Sequence, residues 1–306
     1  MRKKIFLTSV FSLLALTNVM AQKPVVYVEY FSYTASLGAS PVEQVRNSVI
    51  ANITNTQRVE VIDVASVPSL QVEAERRQQE AAMGDETARR GVMQQAGATH
   101  IIQGFVSQIS ISKNRTEGTD AHDYYTATVD YTIKLIDAAS GKLVKSADIS
   151  LGKGFDLSTG NTPDEALRAV LKANKKKIED FVDENFKLKA IILPDEFTVD
   201  GDELETCMIT LGSDHGIDKG QQIEVFTTKL IAGRETKKAI GTLKVTEVMA
   251  GDLSMCKVTK GGKEMKTVMD EYLKLLSEDP DHAIPLLQVS TKKKTGLGAK
   301  LRSINF

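Results

Sequence analysis

The chain has 306 residues, with 39 lysines and arginines against 40 aspartates and glutamates, and a formal net charge of −1. Hydrophobic residues make up 42% of it, which is ordinary for a globular protein and excludes a disordered chain. The absence of a basic excess argues against a nucleic-acid-binding protein. The length is sufficient for one large domain or two modest ones.

Residues 1–21 have the pattern of a cleavable secretion signal. Three basic residues at 2–4 precede an apolar run at 5–16, and Ala21 supplies the small residue before Gln22. The apolar run is shorter than the roughly 20 residues of a membrane-spanning helix. We therefore expect an exported protein in the periplasm, with outer-membrane association left open.

The elements of an α/β (α+β) domain follow over residues 22–189. A buried strand is predicted at 25–31, and Ser40-Pro41 begins a helix whose apolar residues recur at helical spacing. A second strand is predicted at 59–63, and the connection is long enough for the two strands to be parallel.

A polar helical stretch is predicted at 68–97. Its most prominent residues are Arg76, Arg77, Arg89 and Arg90. A solvated helix face is the favoured interpretation, and a partner-binding surface is the alternative. These four arginines are therefore the candidate partner surface.

Three strands are predicted next, at 99–112, 125–137 and 143–149. The second alternates apolar and polar residues, which indicates a sheet with one buried face. The polar loop at 113–124 is a further candidate contact surface. A capped helix beginning at Thr162 completes the domain.

Two stretches within this order of elements resemble the CsgG-like family: GATHIIQG at 97–104 and LIDAASGK at 135–142. The family includes the curli-secretion channel, TolB N-terminal-like domains, periplasmic activators of peptidoglycan polymerases and the middle domain of a flagellar T-ring protein. The resemblance covers about 23–188. It implies a three-layer fold, with a mixed sheet between flanking helices, and no catalytic residues.

The chain departs from the channel members of that family at its mature N-terminus. Those members carry a lipid-modified cysteine there, where this sequence has Gln22. A membrane-spanning strand needs roughly 9 to 11 residues with an apolar row facing lipid, and the hairpin predicted at 99–137 has a polar tip. The sequence therefore favours an accessory protein over a pore.

A second domain is predicted at 190–275. Glycine turns separate short strands, which is typical of a small β-barrel. The strands are expected at 204–211, 222–227, 240–248 and 253–258. The segments 211–220 and 240–245 resemble the C-terminal SH3-like barrel of the same flagellar T-ring protein.

Residues 276–306 are predicted to be a basic C-terminal tail. A disordered tail is the favoured interpretation, and peripheral contact with a membrane or cell-wall polymer is the alternative. The only cysteines, Cys207 and Cys256, lie in strand-like segments. A disulfide between them requires those strands to be neighbours; two buried free thiols are the favoured alternative.

No catalytic, cofactor-binding or metal site is predicted. None of the four histidines lies in an H-E-x-x-H pattern, and 212–220 lacks the Gly-Lys-Ser/Thr ending of a phosphate loop. Asp120, His122 and Asp123 are interpreted as a solvated hairpin tip rather than a metal site.

We therefore expect a non-enzymatic protein without a cofactor that binds envelope proteins and organises an assembly, with a homo-oligomer left open. The alternatives are a ring-forming secretion or pore component and an activator of a peptidoglycan polymerase.

Overall fold

A computed structural model describes residues 23–63, 97–117, 121–154, 158–231, 234–279 and 286–292. The described chain forms two compact units that divide between Phe186 and Lys187. The predicted signal and residues 68–96 of the polar helical stretch lie outside the described residues.

The first unit is built on a mixed sheet. The strand order is β3-β1-β4-β5-β6, with β2 beside β4 and β7 beside β5. β1 is parallel to both β3 and β4, which confirms the predicted parallel pairing, and β4, β5 and β6 are antiparallel. In chain order the elements are β1 (Val25–Val28), β2 (Ser32–Tyr33), α1 (Ala39–Asn55), β3 (Glu60–Asp63), β4 (His100–Arg115), β5 (Asp123–Asp137), β6 (Leu143–Leu151), β7 (Thr159–Gly160), α2 (Pro163–Lys172) and α3 (Asn174–Asn185).

The core of this unit lies between one face of the sheet and α1, α2 and α3. The apolar row of β5 faces these helices, and Val129, Ile133 and Leu135 are fully buried. Its alternating sequence thus produces one buried face. Thr162 caps α2 by accepting the Glu165 N–H. The general α+β class is confirmed, whereas a helical layer on the other face, the third of the predicted three layers, remains a prediction.

The second unit is a closed barrel with strand order β10-β11-β12-β9-β8-β13. Its core contains the inward-facing apolar side chains of all six strands and three residues of one helix. The elements are β8 (Lys189–Asp200), β9 (Glu203–Ile209), a 3-10 turn (Ser213–His215), β10 (Gln222–Ile231), β11 (Arg234–Val248), β12 (Ser254–Lys260), α4 (Gly262–Glu278) and β13 (Leu287–Thr291). A closed barrel is therefore present, while the SH3-like type stays a prediction.

Two barrel strands differ from the sequence expectation. β8 is absent from the four predicted strands. It runs through Pro194, and its pairing with β9 shifts register between Ile192 and Phe197, which places the proline at an irregularity. β13 lies within 276–306, so the boundary of the predicted tail is corrected: 287–291 closes the barrel between β10 and β8. Its five residues alternate buried and half-buried, a short signal that the neighbouring lysines obscure.

Candidate protein-binding surface

In the hairpin of β4 and β5, β4 extends beyond the strands that pair with its outer edge. After a bulge between Val106 and Gln108, the two strands stay paired from Gln108 opposite Asp130 to Arg115 opposite Asp123. β1 and β2 contact β4 only as far as Val106. Over 108–115, β4 therefore pairs only with β5 among the described strands, whereas β5 also pairs with β6 at Val129 and Asp130 and with β7 at Tyr125 and Thr126.

The outer edge of β4 is open along this distal part. Among the described residues, no strand pairs with residues 108–115 on the side away from β5. An open edge presents unpaired N–H and C=O groups, which form a template for another strand. We call the 108–115 edge the open edge of β4.

The orientation of the backbone groups follows from alternation along the strand. The Thr116 N–H donates to the His122 carbonyl across the hairpin end, at 3.0 Å. Successive residues of a strand direct their backbone groups to opposite sides. The even-numbered residues of the open edge therefore face β5, and Ile109, Ile111 and Lys113 direct their N–H and C=O groups outward.

The side chains along the open edge change from apolar to charged. Ile109 is half-buried against the core, and Ile111 is 39% exposed. Towards the tip, the Lys113 Nζ donates to the Asp123 Oδ2 at 2.7 Å. This hydrogen bond raises the pKa of Lys113 and lowers the pKa of Asp123. The edge therefore offers apolar contact near the sheet and polar contact at the tip.

A cleft of about 760 Å³ lies on the opposite side of the hairpin, beside β5 and α2. It is lined by hairpin residues Thr116, His122 and Tyr124, by the β7 loop and by the exposed face of α2. Arg168 and Lys172 contribute the cations of this face. The Glu165 carboxylate accepts a hydrogen bond from the Asn161 N–H at 2.8 Å and so helps to cap the N-terminus of α2. The cleft enlarges the accessible surface of the hairpin.

Only some of the site residues predicted from the sequence lie in the part of the chain that the structure describes. Arg76, Arg77, Arg89 and Arg90 lie outside the described residues, so the arginine surface stays a prediction. The described residues of the candidate loop at 113–124 form the hairpin tip. Residues 118–120 of this loop lie outside the described residues.

Asp120, one of the three residues weighed as a metal site, lies outside the described residues. Over the part of the chain that the structure describes, no group of histidine, cysteine and acidic residues could hold a metal ion. Nor does any described helix combine the length and apolar character needed to cross a bilayer.

Cys207 and Cys256 lie opposite each other in the barrel as free thiols. The residues that sequence reasoning missed are Ile109 and Ile111. The sequence feature that could have identified them is the alternation of polar and apolar residues in QISIS at 108–112.

No protein-family model matches the chain, and no curated protein matches it significantly. Solved structures resemble about half of it at low identity. A lipoprotein, GNA1162 from Neisseria meningitidis, is 16% identical, covering 51% of this chain and 97% of its own, with a TM-score of 0.32. The PelC dodecamer from Paraburkholderia phytofirmans is 15% identical over 52% and 89%, with a TM-score of 0.30. The LpoB C-terminal domain from Escherichia coli is 14% identical over 45% and 93%, with a TM-score of 0.27.

Proposed function

We propose that the protein is a non-enzymatic accessory component of a bacterial envelope that binds a partner protein by strand addition at the open edge of β4. The observation that carries this proposal is the outward-facing backbone of residues 108–115, which no described strand covers. The predicted export signal supports a periplasmic location. The resemblance to the CsgG-like family supports an accessory role, with peptidoglycan polymerases among the implied partners.

Strand addition accounts for both affinity and selectivity at this edge. Main-chain hydrogen bonds supply affinity, and the alternating side-chain positions select the partner. Ile109 and Ile111 share one face of the strand and offer apolar contact. Lys113, already paired with Asp123, and Arg115 continue the same row, and Arg115 favours an acidic residue at the corresponding end of the added strand.

The test places a photo-crosslinking amino acid at position 111 in cells of the native host. We expect a crosslinked species of higher mass that is absent when the probe is at Lys176, an exposed position on α3. Lys113→Pro removes one outward N–H without removing a ladder bond to β5, so it should abolish the crosslink. Lys113→Ala loses the same side chain but keeps the N–H, and should retain it.

A crosslink that survives Lys113→Pro with unchanged yield would contradict strand addition. Loss of the crosslink with both Lys113→Pro and Lys113→Ala would assign recognition to the lysine side chain instead. Circular dichroism of the two variants establishes that each is folded before the yields are compared.

The second candidate is a ring-forming secretion component. β6 forms one end of the strand order and exposes Leu143 and Val144, and no described strand pairs with its outer side. Two open edges on one sheet permit head-to-tail association of copies, which closes into a ring when the rotation allows. Light scattering on protein extracted from its envelope distinguishes the two: a ring has the mass of many copies, and an adaptor does not.

A further inference from the structure

We propose that Cys207 and Cys256 form a cross-strand disulfide that joins β9 to β12 inside the barrel. The two cysteines are register partners in the antiparallel pairing of these strands. Both are fully buried, and both thiols are free in the structure. They are the only cysteines of the chain, so no competing intrachain pairing exists.

The strand register places the two residues at bonding range. Directly opposite residues of an antiparallel pair have Cα atoms about 4.5 to 5.5 Å apart and side chains on one face. A disulfide requires Cα atoms about 4.4 to 6.8 Å apart, so the bond needs no change of register. The Cβ atoms must approach by about 0.7 to 1.7 Å from the usual cross-strand spacing of about 4.5 to 5.5 Å to reach the mean disulfide spacing of about 3.8 Å.

The surroundings of the pair are apolar on both sides. Phe197 of β8 is the register partner of Cys207, and Val245 of β11 is the register partner of Cys256. All four residues belong to the barrel core or pack against it. A disulfide is itself apolar, so its formation buries no new polar group.

The same burial protects the thiols once the barrel has closed. It raises the pKa of Cys256 to about 12 and also raises the pKa of Cys207, with the neighbouring Cys256 adding to the latter shift. Because the thiolate is the attacking species, neither cysteine reacts in the closed barrel. The bond therefore forms while β9 and β12 are still accessible during folding, or when the barrel opens.

The oxidant is a low-molecular-weight disulfide of an oxidising compartment. The Cys207 thiolate attacks one sulfur of that disulfide, forms a mixed disulfide and releases the first small thiol. The Cys256 thiolate then attacks the Cys207 Sγ, forms the Cys207–Cys256 bond and releases the second. The two protons of the protein thiols pass to the two released thiols, and one disulfide is reduced for each one formed.

The test refolds the reduced full chain with glutathione disulfide as the probe, followed by denaturation, alkylation and intact mass. We expect a chain lighter by two hydrogen atoms that carries no alkyl group, and a linked peptide pair containing both cysteines. The barrel melting transition should rise by about 10 °C relative to the reduced chain. The already folded, reduced chain should be oxidised at least roughly ten times more slowly, since reaction requires opening.

The control is the Cys207→Ala, Cys256→Ala double variant, whose melting transition should not respond to glutathione disulfide. Two alkylated thiols after oxidative refolding, or a stable mixed disulfide with glutathione, would overturn the proposal. A bridged chain that melts below the reduced chain would overturn it as well, since the native register would then be incompatible with the bond.

Discussion

Breaking the buried ion pair between Arg58 and Asp183 should destabilise the protein far more than breaking an exposed pair on α3, the helix that carries Asp183. The Arg58 Nε lies 3.5 Å from the Asp183 Oδ1, and the two side chains are 1% and 7% exposed. Burial lowers the pKa of Arg58, and the charge of Asp183 opposes that shift. Asp183→Asn keeps the shape of the side chain but removes the negative charge that Asp183 places beside the buried guanidinium.

Removing one member of a buried pair costs about 3 to 5 kcal/mol. For a unit of this size, each kcal/mol lowers the melting temperature by about 2 to 4 °C, so a drop of roughly 6 to 20 °C is expected. The matched control is Lys176→Gln, because Lys176 pairs with Asp180 on the same helix α3 with 69% exposure of the lysine. An exposed pair of this spacing contributes only about 0.3 to 0.5 kcal/mol.

Differential scanning calorimetry of the full chain is the assay. The transition of the α/β unit should move with Asp183→Asn, while that of the barrel stays in place as an internal reference. A shift no larger than that of Lys176→Gln would refute the reasoning, since it would mean that solvent reaches Arg58 in the folded protein.

Three further results are expected. Tyr131→Phe removes the buried hydroxyl that donates to Asn174, leaves the amide oxygen without that donor, and should lower the free energy of unfolding by about 1 to 3 kcal/mol in urea titration. Gly104→Ala would place a Cβ against the buried ring of Phe31, closer than van der Waals contact allows, and should destabilise by about 1 to 3 kcal/mol in the same assay, whereas an unchanged midpoint would show that the ring can move. Burial lowers the pKa of His100 below 6.5, so the unfolded chain binds more protons below that pH. Stability from this residue is complete above pH 6.5 and falls as the pH decreases towards the folded-state pKa. The slope of melting temperature against pH should be smaller in His100→Gln, and an NMR-titrated pKa above 6.5 would contradict the assignment.

Periodicity predicted the parts of the fold in which one face of an element is buried. The alternation along β5 and the helical spacing in α1 both correspond to buried rows in the structure. These patterns are local, because a single element determines which residues of its own face are apolar.

The sequence was less informative where a strand depends on its neighbours. β8 contains Pro194, which reads as a break until the register shift opposite β9 is known. β13 has five residues, too few for its alternation to be distinguished from a tail.

The candidate surface was predicted only in part. The polar sequence at 113–124 predicted a hairpin tip. The open edge, in contrast, depends on which strands pair with the outer side of β4, where the described pairing ends at Val106. That depends on where β1 and β2 end in space, which no local pattern encodes.

The most direct test of strand addition is amide hydrogen exchange by NMR across the open edge, measured on the free protein and on the complex captured through position 111. In the free protein the outward N–H groups of Ile109, Ile111 and Lys113 should exchange faster than those of Ser110 and Ser112, which face β5. In the complex the odd-numbered amides should become protected by at least roughly tenfold while the even-numbered amides change little, because only the outward groups gain new partners. Equal protection of odd and even amides, or none, would contradict the account and assign binding to another surface.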